Sequence, residues 1–296
     1  MEKIGRKIFT ILGVRIDSTS TSSVLRFCQS RLNDFGTSTR FKSFVITTPN
    51  PEQIMLAQKD IEFKRILNSS DIAVCDAIGV SQAAKYLRFT APKNNLLRFP
   101  VIFFQGLLVG FMTVLNKEWV ESELEVIKGR DLFIELVKVA NKKGWKVALL
   151  GDIDSARKAE EILLRSYKKV KLLSLTGPVL ANDGVPITKD NKVKERRVVA
   201  RINNFKPHLL FVGFGSPKQE KWMYRWQDRL KVGGTMVIGG TFDYISGKRR
   251  AVPKIFAKFG IEWLWRFITG DQKLSRILTA FPVFPLKVFA SKLESV

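Results

Sequence analysis

The sequence predicts an α/β protein with a Rossmann-like, mostly parallel β-sheet and helices on both faces. Short, continuously apolar segments alternate along the chain with helical segments, which is typical of parallel sheets covered on both sides. Most of these apolar segments run directly into a tight loop that begins with glycine, aspartate or proline. The predicted strands are residues 8–12, 44–47, 72–75, 147–150, 209–212 and 236–238.

Composition supports a folded protein with two parts. The chain has 296 residues, of which 45% are hydrophobic and 26% charged, and these values argue against disorder, collagen-like repeats and a multi-span membrane protein. We predict a Rossmann-like domain over residues 1–243, interrupted by an apolar insert at about residues 90–122. Residues 244–296 are predicted to form a basic, aromatic and helical appendage that associates with a membrane.

The charge predicts a phosphate-bearing partner. Fifty Lys and Arg residues against 27 Asp and Glu give a formal charge of +23, which attracts nucleic acid, anionic lipid or a diphosphate substrate. The basic residues are spread over many segments without a nucleic-acid recognition motif. A non-enzymatic nucleic-acid-binding protein is the alternative function that the charge allows. Because no recognition motif is present, we expect no nucleic-acid partner.

Cysteine and histidine content excludes several kinds of site. Cys28 and Cys75 cannot supply a disulfide framework or a metal cluster, so a reducing cytoplasm is expected. The N-terminal segment does not have the pattern of a signal peptide. His208 is the only histidine, and a structural role is favoured over catalysis.

The apolar insert contains a run from Phe99 to Leu115 in which Gln105 and Thr113 are the polar side chains. As a helix it would measure about 26 Å, a little short of the roughly 30 Å hydrocarbon core of a bilayer. A single crossing would place the strands before and after it on opposite sides of the membrane. The compatible interpretations are a re-entrant or interfacial hairpin, bent at the proline and glycines, and a buried helix or oligomer contact; flanking cations favour the membrane.

Three carboxylates are candidates for chemistry. Asp76 follows a predicted strand, where partial burial would raise its pKa and suit it to act as a general base; the alternative is an N-cap for the helix that follows. Asp152 and Asp154 form the DxD pattern of metal-dependent sugar transferases. An N-cap role for Asp154 is favoured over metal binding.

A glycine-rich segment, GFGSPKQE at residues 213–220, predicts a ligand loop. Gly213 and Gly215 allow the backbone to approach a ligand, and the following helix would point its N-terminal amides at a phosphate or sugar oxygen. The third glycine of the dinucleotide fingerprint is absent, which argues against a nicotinamide-dependent oxidoreductase. The alternative is a structural tight turn.

The basic appendage has two arginines ten residues apart, Arg266 and Arg276, with Lys273 between them. On a continuous helix they would lie roughly on one side. Guanidinium groups bind diphosphate bidentately and can neutralise a leaving pyrophosphate without a metal. The alternatives are a solvated basic face and attraction to anionic lipid.

Six motifs occur in an order that we recognise: TTPNPE (47–52), SDIAVCD (70–76), GRDL (129–132), GFGSPKQEKW (213–222), GGTFD (239–243) and GIEWLWR (260–266). In these motifs the chain resembles the WecG/TagA/CpsF glycosyltransferase family. The resemblance covers nearly all of the sequence except about residues 90–122.

This resemblance implies an inverting glycosyltransferase that needs neither metal nor cofactor. The reaction it implies moves an N-acetylmannosamine-type sugar from a UDP-sugar donor to undecaprenyl-diphosphate-linked GlcNAc, in teichoic acid or surface polysaccharide synthesis. The implied partners are the donor, the lipid-diphosphate acceptor and the membrane surface, with the protein peripheral or monotopic at the cytoplasmic face; a homo-oligomer is left open.

The resemblance also implies roles for individual residues. Asp76 would be the general base that deprotonates the acceptor hydroxyl, with Thr48 beside it as a second catalytic residue. The substrate-binding residues would be Asn50, Gly213, Gly215, Lys218, Gln219, Gly240, Asp243, Arg266, Lys273 and Arg276.

The chain departs from the family pattern at several positions. Ala77 follows the aspartate where the family usually has glycine, Val126 replaces an arginine, and a further family arginine falls on Lys273. The insert is not typical of the family either. These departures bear on the identity of the donor more than on fold or reaction class.

Overall fold

In the computed structural model, the described residues are 7–37, 41–152, 154–249, 252–253, 256, 262–270 and 273–294, without the side chains of residues 95, 262, 263 and 266. The described strands are β1 (Lys7–Ile11), β2 (Val14–Ser18), β3 (Phe44–Thr47), β4 (Ile72–Ala73), β5 (Lys146–Gly151), β6 (Lys171–Thr176), β7 (Leu209–Val212) and β8 (Gly234–Val237). The described helices before the glycine-rich segment are α1 (Thr21–Leu32), α2 (Pro51–Leu56), α3 (Ile61–Asn68), α4 (Ile78–Arg88), α5 (Asn95–Leu115), α6 (Lys117–Glu121), α7 (Gly129–Lys143), α8 (Ser155–Ser166) and α9 (Lys189–Phe205). Those after it are α10 (Lys218–Trp226), α11 (Thr241–Ile245), α12 (Glu262–Ile268), α13 (Leu274–Leu278) and α14 (Phe284–Glu294).

Six of the strands form one parallel sheet in the order β4-β3-β8-β7-β5-β6. The predicted fold class is therefore confirmed. Because the strands are parallel, their carboxyl ends and the loops that follow them share one edge of the sheet. The other two strands, β1 and β2, form a separate antiparallel hairpin.

Alternate residues of the sheet face two different cores. In β5, Val147 and Leu149 pack with α1, α7 and α8, whereas Ala148 and Leu150 pack with α9 and α10. Strands buried on both sides must be apolar throughout, and for this reason they were recognisable in the sequence. A third core lies under the β1–β2 hairpin and contains side chains of α2, α3, α4 and α14.

Two strands were missed by the sequence prediction. One of them is β2, in which Asp17 is buried and is bound by the guanidinium group of Arg15. The carboxylate of Asp17 also accepts a hydrogen bond from the backbone of Ala73. This pairing lets a charged residue occupy a strand. The other missed strand, β6, lies at the sheet edge and is only partly buried, so it lacks the apolar signature.

The apolar insert is a single helix, α5, of 21 residues with Pro100 inside it. The expected hairpin is therefore wrong, because the chain does not reverse at Gly106 or Gly110. The alternative of a buried helix is also wrong, since most of the large apolar side chains of α5 are exposed. Pro100 lies in the second turn of α5, where its missing amide leaves the carbonyl of Leu96 without its usual helical donor.

The appendage is helical in its described parts, but it is not one continuous helix. Helix α12 ends at Ile268, a turn through Gly270 with φ +72° follows, and α13 begins at Leu274. Arg266 and Arg276 therefore lie on separate helices, and the premise for placing them on one helical side is wrong. Helix α11 extends across the predicted domain boundary at residue 243.

We predict that Gly234→Ala destabilises the sheet by about 1–3 kcal/mol, because a methyl group in this buried strand has no room. A Cβ at this position would lie 2.2 Å from the ring of Phe44 on the neighbouring strand. Urea denaturation measures the change. Gly110→Ala is the control, since nothing lies within 4 Å of its Cβ position on the exposed side of α5; equal stability of the two variants would contradict the packing argument.

Candidate active site

Loops after β3, β4, β7 and β8 converge at the carboxyl edge of the sheet and contain most of the predicted site residues. The loops after β3 and β4 are joined directly, because the backbone amide of Asp76 donates to the carbonyl oxygen of Pro49. Backbone bonding also joins Ile127, just before α7, to Cys75. The start of α7 is thereby brought against the loop that holds Asp76.

Asp76, Thr48 and the start of α7 form the first part of the site. The amide of Gly129 donates a 2.6 Å hydrogen bond to Oδ1 of Asp76. A Cβ on Gly129 would lie 3.3 Å from the Thr48 methyl group and 3.5 Å from Oδ1 of Asp76, so the three residues are neighbours. Asp76 is half-buried, and Thr48 is buried. The favoured simple explanation, that Asp76 caps α4, is wrong, because Ala77 occupies the N-cap position without a side-chain bond.

Asn50 lies in the loop after β3 and caps α2. Its Oδ1 accepts a 3.0 Å bond from the amide of Gln53, and Oε1 of Gln53 accepts from the amide of Asn50 in return. This reciprocal capping box, with Pro51 as the first helical residue, fixes the start of the helix. The half-buried side chain of Asn50 is held in place before any ligand binds.

The glycine-rich loop after β7 meets the loop after β8. A Cβ on Gly213 would lie 2.9 Å from the carbonyl oxygen of Gly239, so only glycine permits this approach. Gly215 has φ +78° and Gly239 has φ +53°, both in the left-handed region that favours glycine. Pro217 occupies the N-cap of α10, one residue before the predicted first turn, and the half-buried Lys218 is the first helical residue.

A buried side-chain network joins these loops. Oε1 of Gln219 accepts from the amides of Gly215 and Gly239 at 3.2 and 3.1 Å. Its Nε2 donates to Oε1 of Glu220 at 2.9 Å, and Nε2 of Gln53 donates to the same oxygen at 2.8 Å. Both atoms of the Gln219 amide are thus bound to protein, and Gln219 is buried.

Glu220, a residue that the sequence prediction left out of the site, is the centre of this network. It is fully buried. Desolvation raises the pKa of its carboxyl group to about 7, against the hydrogen bonds from neighbouring side chains that lower it. The signal in the sequence was a charged residue on the inner side of α10, between Gln219 and the buried Trp222.

Cations surround the loop after β8. Asp243 accepts a 2.6 Å hydrogen bond from the hydroxyl of Ser155, and its carboxylate lies 3.4 Å from Nε of Arg249 and 3.8 Å from Nζ of Lys248. A Cβ on Gly240 would lie 2.9 Å from the guanidinium group of Arg249. Nζ of Lys248 also lies 3.4 Å from Oδ2 of Asp152. Two cations and two carboxylates therefore meet in this part of the site.

Another arginine, Arg130 at the start of α7, completes this basic region. Its guanidinium group lies 5.5 Å from the ring centre of Tyr244, and that of Arg249 lies 5.8 Å from the same ring. Cations near aromatic faces are attracted by the ring quadrupole. Three cationic side chains from different parts of the chain, two beside Asp243 and one on α7, thus meet around α11.

The described part of the appendage reaches the site through one ion pair. Arg276 on α13 donates to Oε2 of Glu52, which lies two residues after Asn50. Lys273 is exposed just before α13. Arg266 is on α12, but its side chain lies outside the described residues.

The other polar residues singled out in the sequence have structural partners. Asp154 occupies the N-cap position of α8, as predicted, but makes no side-chain cap bond. Oδ1 of Asp152 accepts the hydrogen bond from the amide of Ser155 instead, so Asp152 supplies the side-chain cap. Nδ1 of His208 accepts from the amide of Lys146, and its ring stacks on Trp145, as a structural role predicts. Among the described residues, no three His, Cys, Asp or Glu side chains are grouped to hold a metal ion.

A basic cavity of about 380 Å³ lies outside the candidate site, between α8, β6 and α9. None of its lining residues is a predicted site residue; they are Arg157, Ser174, Leu175, Thr176, Lys194, Arg197, Val198 and Arg201. The predicted site residues of the Rossmann-like domain thus lie outside this cavity, in the loops after β3, β4, β7 and β8 at the carboxyl edge of the sheet. We call these loops the rim.

A parallel Rossmann-like sheet with a held carboxylate, close glycine-rich loops and several cations at its carboxyl edge is typical of an α/β enzyme that binds a phosphate-bearing ligand. The model of the Glycosyl transferase WecG/TagA/CpsF family matches residues 9–100 and 107–296. The prediction that about residues 90–122 lie outside the resemblance is therefore wrong, since only residues 101–106 of this insert are unmatched. The chain belongs to this family.

Similar proteins have been named in Staphylococcus aureus. Relatives from strains MRSA252 and NCTC 8325 / PS 47 are each 25% identical to this chain over 283 residues, which is 95% of this chain and 92% of the relative. Both are named N-acetylglucosaminyldiphosphoundecaprenol N-acetyl-beta-D-mannosaminyltransferase.

We predict that the buried carboxyl group of Glu220 makes folding stability depend on pH. Its pKa of about 7 in the folded protein exceeds the ordinary value of 4.5, so the folded protein holds this proton more tightly than the unfolded chain does. The free energy of unfolding therefore falls as the pH rises from about 4.5 through 7, by on the order of a few kcal/mol.

Urea denaturation at a series of pH values tests this prediction with Glu220→Gln as the control. The variant has no titrating group at this position, so the part of the decline that belongs to Glu220 disappears. Glu220→Ala leaves the amides of Gln53 and Gln219 without their common acceptor and is expected to lose stability at every pH. Parallel curves for wild type and Glu220→Gln would show that the carboxyl group titrates normally.

Proposed function

We propose that this protein is an inverting, metal-independent glycosyltransferase that moves an N-acetylmannosamine-type sugar from a UDP donor to a lipid-diphosphate-linked GlcNAc. The printed names of the relatives support the sugar and the acceptor. The observation that supports the chemistry is the placement of Asp76: its carboxylate is half-buried, oriented by the amide of Gly129 and adjacent to Thr48.

In this proposal Asp76 acts as the general base. It takes the proton from the acceptor hydroxyl while that oxygen forms a bond to the anomeric carbon of the donor sugar. The bond between the anomeric carbon and the diphosphate breaks, and UDP leaves with the electron pair. Because the oxygen enters opposite the leaving group in a single displacement, the anomeric centre is inverted. Thr48, buried beside the carboxylate, would help to position the reacting hydroxyl.

Cationic side chains would stabilise the departing diphosphate. Lys248, Arg249 and Arg130 lie around α11, and Arg276 is bound to Glu52 on the side of the Asn50 loop. Arginine can bind phosphate oxygens bidentately and stabilise negative charge as it develops. These cations would supply the role that a divalent ion has in other sugar transferases.

The glycine-rich loops would bind substrate through their backbone. Nothing lies within 4 Å of the Cβ position of Gly215, so a ligand can approach the backbone there, whereas Gly213 and Gly240 let the loop after β8 and Arg249 pack closely. Lys218 adds a charge at the start of α10. Because both atoms of the Gln219 amide are bound to protein, we propose that this residue acts by shaping the loops.

Two departures from the family pattern have a structural explanation. Ala77 has φ −145° and ψ 145°, an extended conformation open to any residue, so the loop does not require glycine here. Val126 packs against the third core, where an arginine would have to leave the apolar surroundings. Lys273 keeps a positive charge but loses the planar fork of arginine.

The lipid-linked acceptor implies work at a membrane, and we propose a peripheral position at the cytoplasmic face. By length and composition alone, two described helical segments, Leu96–Leu115 and Leu274–Glu294, are apolar enough to cross a bilayer. The second of these is interrupted at Phe281, which has extended backbone angles.

We predict that Asp76→Asn lowers kcat by about 10²- to 10⁴-fold, because asparagine can accept the Gly129 hydrogen bond but cannot take a proton. The assay measures UDP release from a panel of UDP-N-acetylhexosamines with a short-chain lipid-diphosphate GlcNAc acceptor and EDTA. Asp190→Asn, an exposed carboxylate on α9, is the control and should retain full activity. Wild-type release that requires a divalent ion, or an active Asp76→Asn variant, would contradict the mechanism.

We predict that Arg276→Ala raises KM for the lipid-diphosphate acceptor and lowers kcat/KM by about 10- to 100-fold, since a charge-assisted contact to phosphate is lost. The kcat/KM of Arg276→Lys should lie between those of wild type and Arg276→Ala, because lysine keeps the charge without the planar fork of the guanidinium group. Initial rates at varied acceptor concentration measure the effect. Arg157→Ala, which removes another exposed arginine paired with a glutamate, is the control; an equal loss in both variants would remove the specific role of Arg276.

A further inference from the structure

The outer side of helix α5 is apolar, which is unusual for a helix on a water-soluble protein, and its inner side combines buried apolar residues, Ile102 and Val109, with a few polar groups. Its polar side chains Arg98, Gln105 and Thr113 face the protein, and the exposed positions are apolar. Ten large apolar side chains of α5 are exposed: Leu96, Leu97, Phe99, Phe103, Phe104, Leu107, Leu108, Phe111, Val114 and Leu115. A solvated helix presents the opposite arrangement, so the outer side of α5 is built for an apolar environment.

The inward polar groups of α5 are used to fasten it to the rest of the protein. Arg98 donates to the backbone oxygen of Lys292 on α14 at 2.9 Å, and Oε1 of Gln105 accepts from the ammonium group of Lys292 at 2.8 Å. The same ammonium group lies 4.1 Å from the ring centre of Tyr86 on α4. Thr113 accepts from Gln82, also on α4. Helices α4, α5 and α14 thus form one packed unit.

The exposed apolar surface continues from α5 onto the C-terminal helices. Five further exposed apolar side chains belong to this stretch: Leu274, Leu278, Phe281, Val283 and Leu286. An edge-to-face contact between Phe99 on α5 and Phe289 on α14 joins the two parts. Exposed apolar patches of this extent mark interaction surfaces. We call the fifteen side chains together the apolar face.

Connectivity shows how the apolar face would meet a bilayer. Both ends of α5 join helices of the same folded unit: α4 precedes it and α6 follows it, and Ser81 of α4 donates to the backbone oxygen of Val120 on α6. A helix that crossed the membrane would separate α4 from α6 by the thickness of the bilayer. The inner side of α5 packs on the protein, so the exposed side is the one that can contact lipid. This arrangement fits a helix that lies parallel to the membrane surface.

The positive charge of the protein favours anionic lipid over a second copy of this chain as the partner of the apolar face. Lys93 just before α5, and Lys273 and Lys287 in the C-terminal segment, are exposed beside the apolar face. The formal charge of the chain is +23. Such a charge opposes the association of two copies and favours an anionic membrane surface.

We infer that the apolar face docks on an anionic bilayer with α5 lying in the plane of the membrane. This docking places the strand-end loops that contain Asp76 beside the lipid surface. The link to the site is the ion pair of Arg276 with Glu52, because α13 is part of the apolar face and Glu52 belongs to the loop region of Asn50. A lipid-linked acceptor would then enter from the membrane plane past α13. The inference rests on the proposed function for its acceptor, but its tests need no turnover.

Vesicle flotation tests the apolar face with two matched triple variants. The test variant is Phe104→Glu, Leu107→Glu and Phe111→Glu. The control is Ile162→Glu, Ile187→Glu and Val193→Glu, which places the same charges at exposed apolar positions on α8, in the loop before α9 and on α9. With vesicles of phosphatidylglycerol and phosphatidylcholine, wild type and control should float. The vesicle-bound fraction of the test variant should be at least about tenfold lower than that of wild type.

Two further measurements could overturn the inference. Flotation of wild type that vanishes entirely at about 0.5 M salt would show that cations alone hold the protein on lipid, since salt screens charges but does not weaken apolar insertion. Sedimentation without lipid is the other measurement. A wild-type dimer that becomes monomeric in the test variant, with flotation unchanged, would make the apolar face an interface between copies.

The in-plane orientation has its own test. Leu97, Phe104 and Phe111 are exposed at intervals of seven residues on one side of α5, and each is changed singly to cysteine and labelled with an environment-sensitive fluorophore. The native Cys28 and Cys75 are buried and should stay unlabelled. Quenching by depth-positioned lipids should place the three labels at one shallow depth, whereas a middle label deeper than both others would show a membrane crossing.

UDP-release assays distinguish a failure of this inference from a failure of the proposed function. The test variant should release UDP at the wild-type rate with a water-soluble acceptor and lose activity with vesicle-embedded acceptor. Absence of all transfer by the wild type, together with normal flotation, would defeat the proposed function while leaving the docking surface intact. Loss of the soluble activity in the test variant alone would show that α5 supports the site itself, and would overturn the docking role.

Discussion

The buried carboxyl group of Glu220 is the contact on which the geometry of the rim depends. One of its oxygens accepts hydrogen bonds from Gln53 and Gln219, and these two side chains continue to Asn50, Gly215 and Gly239. Three strand-end loops are therefore held by one acceptor inside the protein. A buried charged group is costly unless it is bound in this way, and the raised pKa of Glu220 is the sign of that cost.

Around this buried support, the rim separates two kinds of chemistry. On one side, Asp76 is oriented by Gly129 and lies beside Thr48. On the other, cations collect around Asp243 and Tyr244. In the proposed mechanism the carboxylate of Asp76 and the cations act on different groups, since the proton and the leaving diphosphate depart in different directions.

Helix α5 follows a different physical rule from the rest of the molecule. The sheet buries apolar residues on both faces, whereas α5 buries its polar side chains and leaves most of its large apolar side chains exposed. The polar residues are satisfied by α4 and α14, so the helix is stable in its place even though its outer side is unfavourable in water. The sequence prediction offered a hairpin, a buried helix or an oligomer contact, and did not include a single helix with one exposed apolar side.

The sequence by itself determined the fold class, because strands buried on both faces must be continuously apolar, and it located Asp76 and the glycine-rich loop, because motifs at strand ends are local. It missed β2, whose Asp17 is neutralised by Arg15, and β6, whose edge position removes the apolar pattern. Only the tertiary structure decided that Asp152 caps α8, that Glu220 supports three loops and that α5 is one exposed helix. Each of these depends on which distant groups meet, and hydrogen-bond partners far apart in the chain leave no periodic signal in the sequence.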